Sequence, residues 1–178
     1  MKYIKTLVLD RGKLVSITQF TTLICVATMA PLFHNQIITG SIVNATLFVG
    51  VALLGMRKGV MIGLVPSVVA LSVGTLPALL APVIPLIMIS NTILILIFNK
   101  LRKRNIGLAV IIASLSKFTF LFLTSSVVIS LLFQDGLVQK MMSMMGPVQF
   151  LTALIGGFLS IMFLKRHNQI HQDYTTSI

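Results

Sequence analysis

The chain has 178 residues, of which 56% are hydrophobic and only 10% carry a charge, whereas about 25% are charged in ordinary soluble domains. A water-soluble domain of this size could not cover its surface with so few charged side chains. A disordered chain is excluded for the opposite reason, because disorder requires few apolar residues and many charges. The composition therefore predicts an integral membrane protein.

The formal net charge of +11 raises the question of a nucleic-acid partner. The basic residues stand in short clusters between long apolar runs, and they do not form one continuous stripe. Such clusters are typical of cytoplasmic loops and of contacts with anionic headgroups, whereas nucleic-acid binding needs a basic patch or groove. We expect the lipid bilayer, and no nucleic acid, as the surrounding partner.

Six segments are apolar over about the 20 residues that a helix needs to cross a bilayer. These predicted spans cover residues 14–33, 38–56, 60–76, 79–98, 106–133 and 144–164. They leave no room for a soluble domain, and residues 165–178 read as a polar cytoplasmic tail. The predicted fold is a single all-α domain, a bundle of six transmembrane helices.

The positions of the basic residues predict the orientation of this bundle. Twelve of the fourteen Lys and Arg residues precede the first span, follow the sixth, or lie between spans two and three and spans four and five. Six crossings place all four clusters on one side, and only Lys140 falls on the other. Since basic loops stay in the cytoplasm, both termini are predicted to be cytoplasmic in a multi-pass protein of the cell membrane. The first span also resembles a signal peptide, but Pro31 would follow the cleavage site.

Lys117 is the one basic residue inside a predicted span. It lies eleven residues into the fifth span, roughly 16 Å along a helix and therefore near the middle of the bilayer. A lysine at that depth costs about 2.5–3.5 kcal/mol on insertion scales and normally faces the interior of a bundle. No acidic residue lies in any predicted span. Lys117 therefore either meets an anionic group of a ligand or donates hydrogen bonds to a neighbouring span.

Other polar residues enter the predicted spans from the side opposite the basic loops. Asn91, beside Ser90, lies in the fourth span, and its amide must find a partner in a ligand or in another helix. The outer ends of the second and sixth spans carry His34, Asn44 and Gln149. These groups would line a pocket open to the outside, although His34 and its neighbours are also consistent with a plain turn. The predicted substrate-binding residues are Lys117, Asn91, Asn44, Gln149, Ser90 and His34.

Catalytic and cofactor chemistry find little support in the residues. Cys25 is the only cysteine and lies in an apolar run, and three histidines do not supply a metal-binding set. No Gly-rich phosphate loop ends in Gly-Lys-Ser/Thr. We therefore expect no enzyme, no cofactor and no metal, and any active transport would have to be driven by partner subunits.

The chain resembles a known family in its six short spans, its length and several strings, among them NQIITGSIVNA, GLVPSVVALSVGTLPALLAPVIP, IMISN and SKFTFLFLTSS. It is similar to the S components of energy-coupling factor (ECF) transporters, over about residues 15–165. The resemblance implies a membrane subunit that captures a vitamin or a metal and docks on a membrane scaffold driven by two ATPase subunits. That docking uses two alanines spaced i, i+4 in the first span, and Ala27 and Ala30 stand here at i, i+3.

Of three other interpretations, the first is not supported by the residues and the other two remain open at this stage. Similar sequences are sometimes labelled iron hydrogenases, but hydrogenase clusters need several cysteine thiolates and this chain has one. The chain could also be an autonomous channel or facilitator for a small solute. A membrane assembly protein without a ligand is the third alternative, and a buried Lys117 counts against it.

Overall fold

The computed structural model describes residues 11–132, 142 and 145–176, with the side chains at 11, 168 and 170–176 excepted. Every regular element in this part of the chain is helical, which confirms the all-α prediction. Two short 3-10 helices cover Ala30–Phe33 and Ala78–Val83. The α-helices are α1 (Arg11–Met29), α2 (Gln36–Leu54), α3 (Met56–Ser72), α4 (Ile84–Leu101), α5 (Ile106–Leu132) and α6 (Pro147–Thr176).

Five helical segments are long and apolar enough to cross a membrane: Gly12–Phe33, Gln36–Leu54, Ala78–Leu101, Ile106–Leu132 and Pro147–His167. Large apolar side chains cover the outside of the bundle, where Leu131 is 78% exposed and Phe158 is 63% exposed. Such a surface belongs in hydrocarbon, and the chain is a multi-pass membrane protein. The predicted third span corresponds to α3, which has only 17 residues and carries Arg57 and Lys58 in its first turn.

The ends of the helices follow from local chemistry. The Asn35 side chain accepts hydrogen bonds from the backbone N–H groups of Ile37 and Ile38 and so caps the start of α2. Gly55 separates α2 from α3 at a φ of +83°, a left-handed conformation that favours glycine. The proline-rich segment after α3 folds into the 3-10 helix Ala78–Val83, because each proline lacks the backbone N–H that a regular α-helix uses.

Helix α6 extends further than the sequence analysis predicts. Residues 165–176 were expected to form a polar tail after the sixth span, but they continue the helix to Thr176. The reason is local, because no glycine or proline follows position 164 and most of the side chains there are compatible with a helix. The predicted start of that span at 144 and the outer Lys140 lie outside the described residues.

Small side chains determine where helices come closest. The most extensive contact in the bundle joins α2 to α6. A Cβ atom added at Gly156 would lie 2.6 Å from the Ser41 carbonyl oxygen, and one added at Gly157 would overlap Val110. The two glycines therefore let α6 approach α2 and α5 at van der Waals distance, which is the usual role of small residues in membrane bundles.

The bundle has two different ends. The basic end contains the α2–α3 and α4–α5 turns, which the Arg102 side chain joins through a 3.0 Å hydrogen bond to the carbonyl oxygen of Ala52. At the opposite end, here called the mouth, lie the α1–α2 turn and the connection from α3 to α4. Fully buried apolar residues fill the half toward the basic end, the packed half: Leu47, Phe48, Val51, Ile62, Leu94, Ile95 and Phe98. The half toward the mouth, the cavity half, contains an open space.

Candidate functional site

A cavity of about 270 Å³ occupies the cavity half and reaches the surface at the mouth. Its wall takes residues from α2, α3, α4, α5 and α6 and from the connections at the mouth. The polar lining residues are His34, Asn35, Gln36, Thr39, Asn44, Ser67, Thr75, Asn91, Lys117 and Gln149. So many polar groups along one space inside a membrane bundle are unusual, because each costs free energy in hydrocarbon unless it is paired.

Lys117 lies at the deep end of this cavity and is only 3% exposed. Its Nζ donates a 2.7 Å hydrogen bond to Oδ1 of Asn44 and a 2.8 Å hydrogen bond to Oδ1 of Asn91. The lysine of α5 is thereby joined to α2 and to α4. Lys117 therefore donates hydrogen bonds to two neighbouring spans, as one of its two interpretations predicts.

The two asparagines are themselves held by other helices. Nδ2 of Asn44 donates to the carbonyl oxygen of Gly40 at 2.8 Å and to Oγ1 of Thr152 in α6 at 3.4 Å. Nδ2 of Asn91 donates to the carbonyl oxygen of Gly63 in α3 at 2.9 Å. The network thus joins α2, α3, α4, α5 and α6, and it holds both amide oxygens pointing at the ammonium.

The network leaves Lys117 with capacity for a further partner. An ammonium has three N–H donors, and the described residues accept from it only through the two amide oxygens. None of the described side chains is a carboxylate, since the three acidic residues of the chain are Asp10, Asp135 and Asp173. The deep end of the cavity therefore carries a positive charge that no described side chain neutralises.

Ser67 supplies a second polar group with capacity for a partner. It lies in α3 directly after Pro66, is 6% exposed, and lines the cavity. Its hydroxyl has no hydrogen-bond partner among the described residues. Sequence analysis missed Ser67, although a hydroxyl that follows a proline within an apolar span was a signal that could have pointed to it.

Five of the six predicted substrate-binding residues line this cavity. Asn44, Asn91 and Lys117 form the deep end, and His34 and Gln149 belong to the wall as well. Ser90 does not line it: the residue is fully buried, and its hydroxyl donates to the carbonyl oxygen of Ile87 at 2.7 Å. Ser90 and Asn91 are adjacent in sequence, yet only Asn91 lines the cavity, while Ser90 is buried away from it.

His34 combines the two interpretations given to it. Its backbone adopts a left-handed φ of 52°, which makes it part of a turn between the first 3-10 helix and α2. Its Nδ1 lies 2.9 Å from the carbonyl oxygen of Leu32, and the residue is exposed. His34 is therefore a turn residue at the rim of the cavity.

Ala27 and Ala30, the predicted docking residues, lie inside the bundle. Ala27 is 0% exposed and belongs to the same buried cluster as Leu47, and Ala30 is 1% exposed. The spacing is the physical reason for their burial, because both methyl groups lie on the face of the first span that packs against the bundle. Docking on these two alanines would need this face of the first span to become accessible to the partner, and their docking role stays a prediction.

The packed half closes the cavity on the basic side. Below Lys117 the rings of Phe48 and Phe98 meet edge to face, with centroids 4.7 Å apart. Ile62, Leu94 and Ile95 are all fully buried around them. This arrangement leaves the cavity open to a small molecule from the mouth, and the described apolar side chains fill the space below Lys117.

The single cysteine of the chain lies away from this site. Cys25 is exposed on α1 and does not line the cavity. No cluster of three or more metal-binding side chains occurs within the described part of the chain. Comparisons with protein-family models, with curated proteins and with solved structures returned no match to this chain.

Proposed function

We propose that the chain is the substrate-binding membrane subunit, or S component, of an ECF-type uptake transporter. In this role it captures a small micronutrient from outside the cell and depends on a membrane scaffold and ATPase subunits for energy. In this proposal the chain crosses the membrane six times, α3 is the shortest of the six spans, and both termini lie in the cytoplasm.

One observation carries this proposal: a polar cavity that opens at the mouth and ends at the buried cation Lys117. Intramembrane ionisable residues are costly, and they usually mark the path or the binding site of a substrate. Small-molecule sites are typically concave, largely apolar, and supplied with a few polar groups that fix the ligand. The arrangement of Lys117, Asn44, Asn91 and Ser67 fits this description.

The closed floor of the cavity favours capture over free permeation. A channel or facilitator that acts alone needs a path through the bundle or two faces that open in turn. The packed half below Lys117 is filled by aromatic and aliphatic side chains. Translocation would therefore require a large rearrangement of the whole bundle. ATPase partner subunits could supply the energy for that rearrangement.

The direction of the cavity agrees with uptake. Arg57, Lys100, Lys103 and Arg104 are exposed at the basic end, and basic loops normally stay in the cytoplasm. The mouth then faces the outside of the plasma membrane. A substrate would reach the cavity past His34 and Gln149 and would meet Lys117 last.

Affinity purification from native membranes tests the proposed function. The tagged full-length chain would be extracted in mild detergent, and mass spectrometry would identify the proteins that stay with it. We expect a membrane scaffold and an ATPase pair. A chain that purifies alone, and that carries solute across the membrane of liposomes containing nothing else, would instead establish the facilitator.

A further inference from the structure

We infer that the cavity is built for a small monoanion, with the carboxylate of the ligand on Lys117 and a second polar group of the same ligand on Ser67. This inference rests on the proposed function, since it names the class of substrate that the S component would capture. Two separate observations, on two different helices that line the cavity, carry it.

The first observation is the uncompensated charge of Lys117. Lys117 is 3% exposed as a residue, and the two hydrogen-bond acceptors of its ammonium, Asn44 and Asn91, are neutral amides. A buried charge is costly until it is paired. One carboxylate oxygen on the third N–H of Lys117 would neutralise it, and a charge-assisted hydrogen bond is about twice as strong as a neutral one.

The second observation is the unpartnered hydroxyl of Ser67. Ser67 is 6% exposed, and therefore more than nine-tenths buried, and it lines the same cavity. Its hydroxyl forms no hydrogen bond with any described residue. Since Ser67 lies on α3 and Lys117 on α5, the two groups fix two separate points of a ligand. A hydroxyl, carbonyl or amine of the ligand can pair with Ser67, because a serine both donates and accepts.

Charge and volume narrow the class further. The positive charge of Lys117 repels a metal cation. The described side chains also form no cluster of three or more metal ligands. A dianion would leave one negative charge unpaired, since Lys117 is the one Lys or Arg among the described residues that line the cavity. The volume of about 270 Å³ lies just below the roughly 300–1,000 Å³ typical of drug-sized ligands. A monocarboxylate of modest size is left.

A matched set of probe compounds tests the inference. Purified full-length chain in lipid nanodiscs would be equilibrated with a defined mixture in which each carbon skeleton occurs as carboxylate, carboxamide and amine. After washing, mass spectrometry would measure what each variant retains. We expect enrichment of carboxylates over their own amides and amines. Retention of the amides or amines at an equal or higher level, or retention of no compound, would overturn the inference.

Three variants locate the effect. Lys117→Gln removes the charge but keeps two N–H donors for Asn44 and Asn91, so the helix network can survive. We expect about a 10- to 100-fold loss of carboxylate retention, the value of a hydrogen bond to a charged group. Ser67→Ala leaves the lysine network unchanged and should cost roughly 2- to 10-fold. Lys100→Gln changes an exposed lysine of the basic end and should change nothing.

The outcomes separate this inference from the proposed function. Undiminished carboxylate retention in Lys117→Gln would overturn the inference, even if a scaffold and ATPase subunits co-purify with the chain. Carboxylate retention that depends on Lys117, in a chain that purifies without partners, would support the inference and contradict the proposed function. Circular dichroism of Lys117→Gln would verify its fold, and Ser67→Ala tests the second contact independently.

Discussion

The packed half and the cavity half of this bundle use the same helices in different ways. Toward the basic end, α2, α3 and α4 interlock through Phe48, Ile62 and Phe98, and all three side chains are fully buried. Toward the mouth, the same three helices present Asn44, Ser67 and Asn91 to an open space. The change occurs within about one to two turns along each helix.

This difference shows how a small membrane protein can be both rigid and receptive. Apolar packing in lipid gains little from the hydrophobic effect, so close contact and small residues hold the helices together. The packed half supplies that contact. It allows the cavity half to retain polar groups that are only partly satisfied, a cost that is understandable if a ligand completes them.

The largest effect is expected at Gly156, on the contact between α2 and α6 that supports the cavity wall. In Gly156→Ala the new methyl group would lie 2.6 Å from the Ser41 carbonyl oxygen and 2.7 Å from the Ala45 backbone nitrogen. Backbone atoms cannot move aside, so we expect a loss of about 3 kcal/mol in unfolding free energy, the upper end for overpacking. Denaturation in mixed micelles measures it.

Gly107→Ala is the matched control for that substitution. A Cβ at Gly107 would contact only the Asn105 side chain, at 3.4 Å. We expect it to leave stability unchanged or to raise it slightly, because alanine favours a helix over glycine. Equal losses in both variants would show that the α2–α6 contact has no special role.

A pair of isoleucines on α4 compares the two halves directly. Ile95 is fully buried in the packed half, whereas Ile87 borders the cavity. We expect Ile95→Ala to lower the unfolding free energy by about 2 kcal/mol. This value is the low end for core truncations, because the side chain of an unfolded membrane helix stays in hydrocarbon and little hydrophobic free energy is lost. Ile87→Ala should lower it by less than about 1 kcal/mol, since it extends an existing space.

The same denaturation measurement decides between two pictures of the bundle. A larger loss for Ile87→Ala than for Ile95→Ala would mean that the cavity half is as tightly packed as its opposite. It would also contradict the existence of an open cavity at the mouth.

Ser67→Ala should have the smallest effect on folding. Its hydroxyl has no partner among the described residues, so its removal breaks no hydrogen bond. We expect a change of less than about 0.5 kcal/mol in unfolding free energy, in either direction. A loss above about 1 kcal/mol in micelles would instead assign Ser67 a structural role.

Hydropathy and charge were sufficient to predict the helices but not all of their contacts. The approximate lengths and boundaries of the spans followed from the apolar runs. Lys117 was predicted to be a buried cation from its depth alone, because the position of a residue along a helix determines its depth in the bilayer. Its two partners could not be predicted, since the rotation of α2 and α4 about their axes depends on packing that hydropathy does not record.

The surroundings of four residues were not predicted, and the physical reason is the same for all four. Ser90 was predicted beside Asn91, but adjacent positions on a helix point about 100° apart. Ala27 and Ala30 were predicted for a partner, but they face the interior of their own chain. Ser67 was missed because hydropathy does not record which face of α3 lines a cavity. The face of each helix, rather than its span, was the missing information.

Accessibility of a single thiol from each side of the membrane is the most direct test of a cavity that opens only outward. In a Cys25→Ser background, Ser67→Cys would be exposed to a small membrane-impermeant thiol reagent in intact cells and in inside-out vesicles. Lys103→Cys at the basic end would serve as the opposite marker. We predict labelling of Ser67→Cys from outside only and of Lys103→Cys from inside only. Labelling of Ser67→Cys from the inside would contradict the blind, outward-facing cavity.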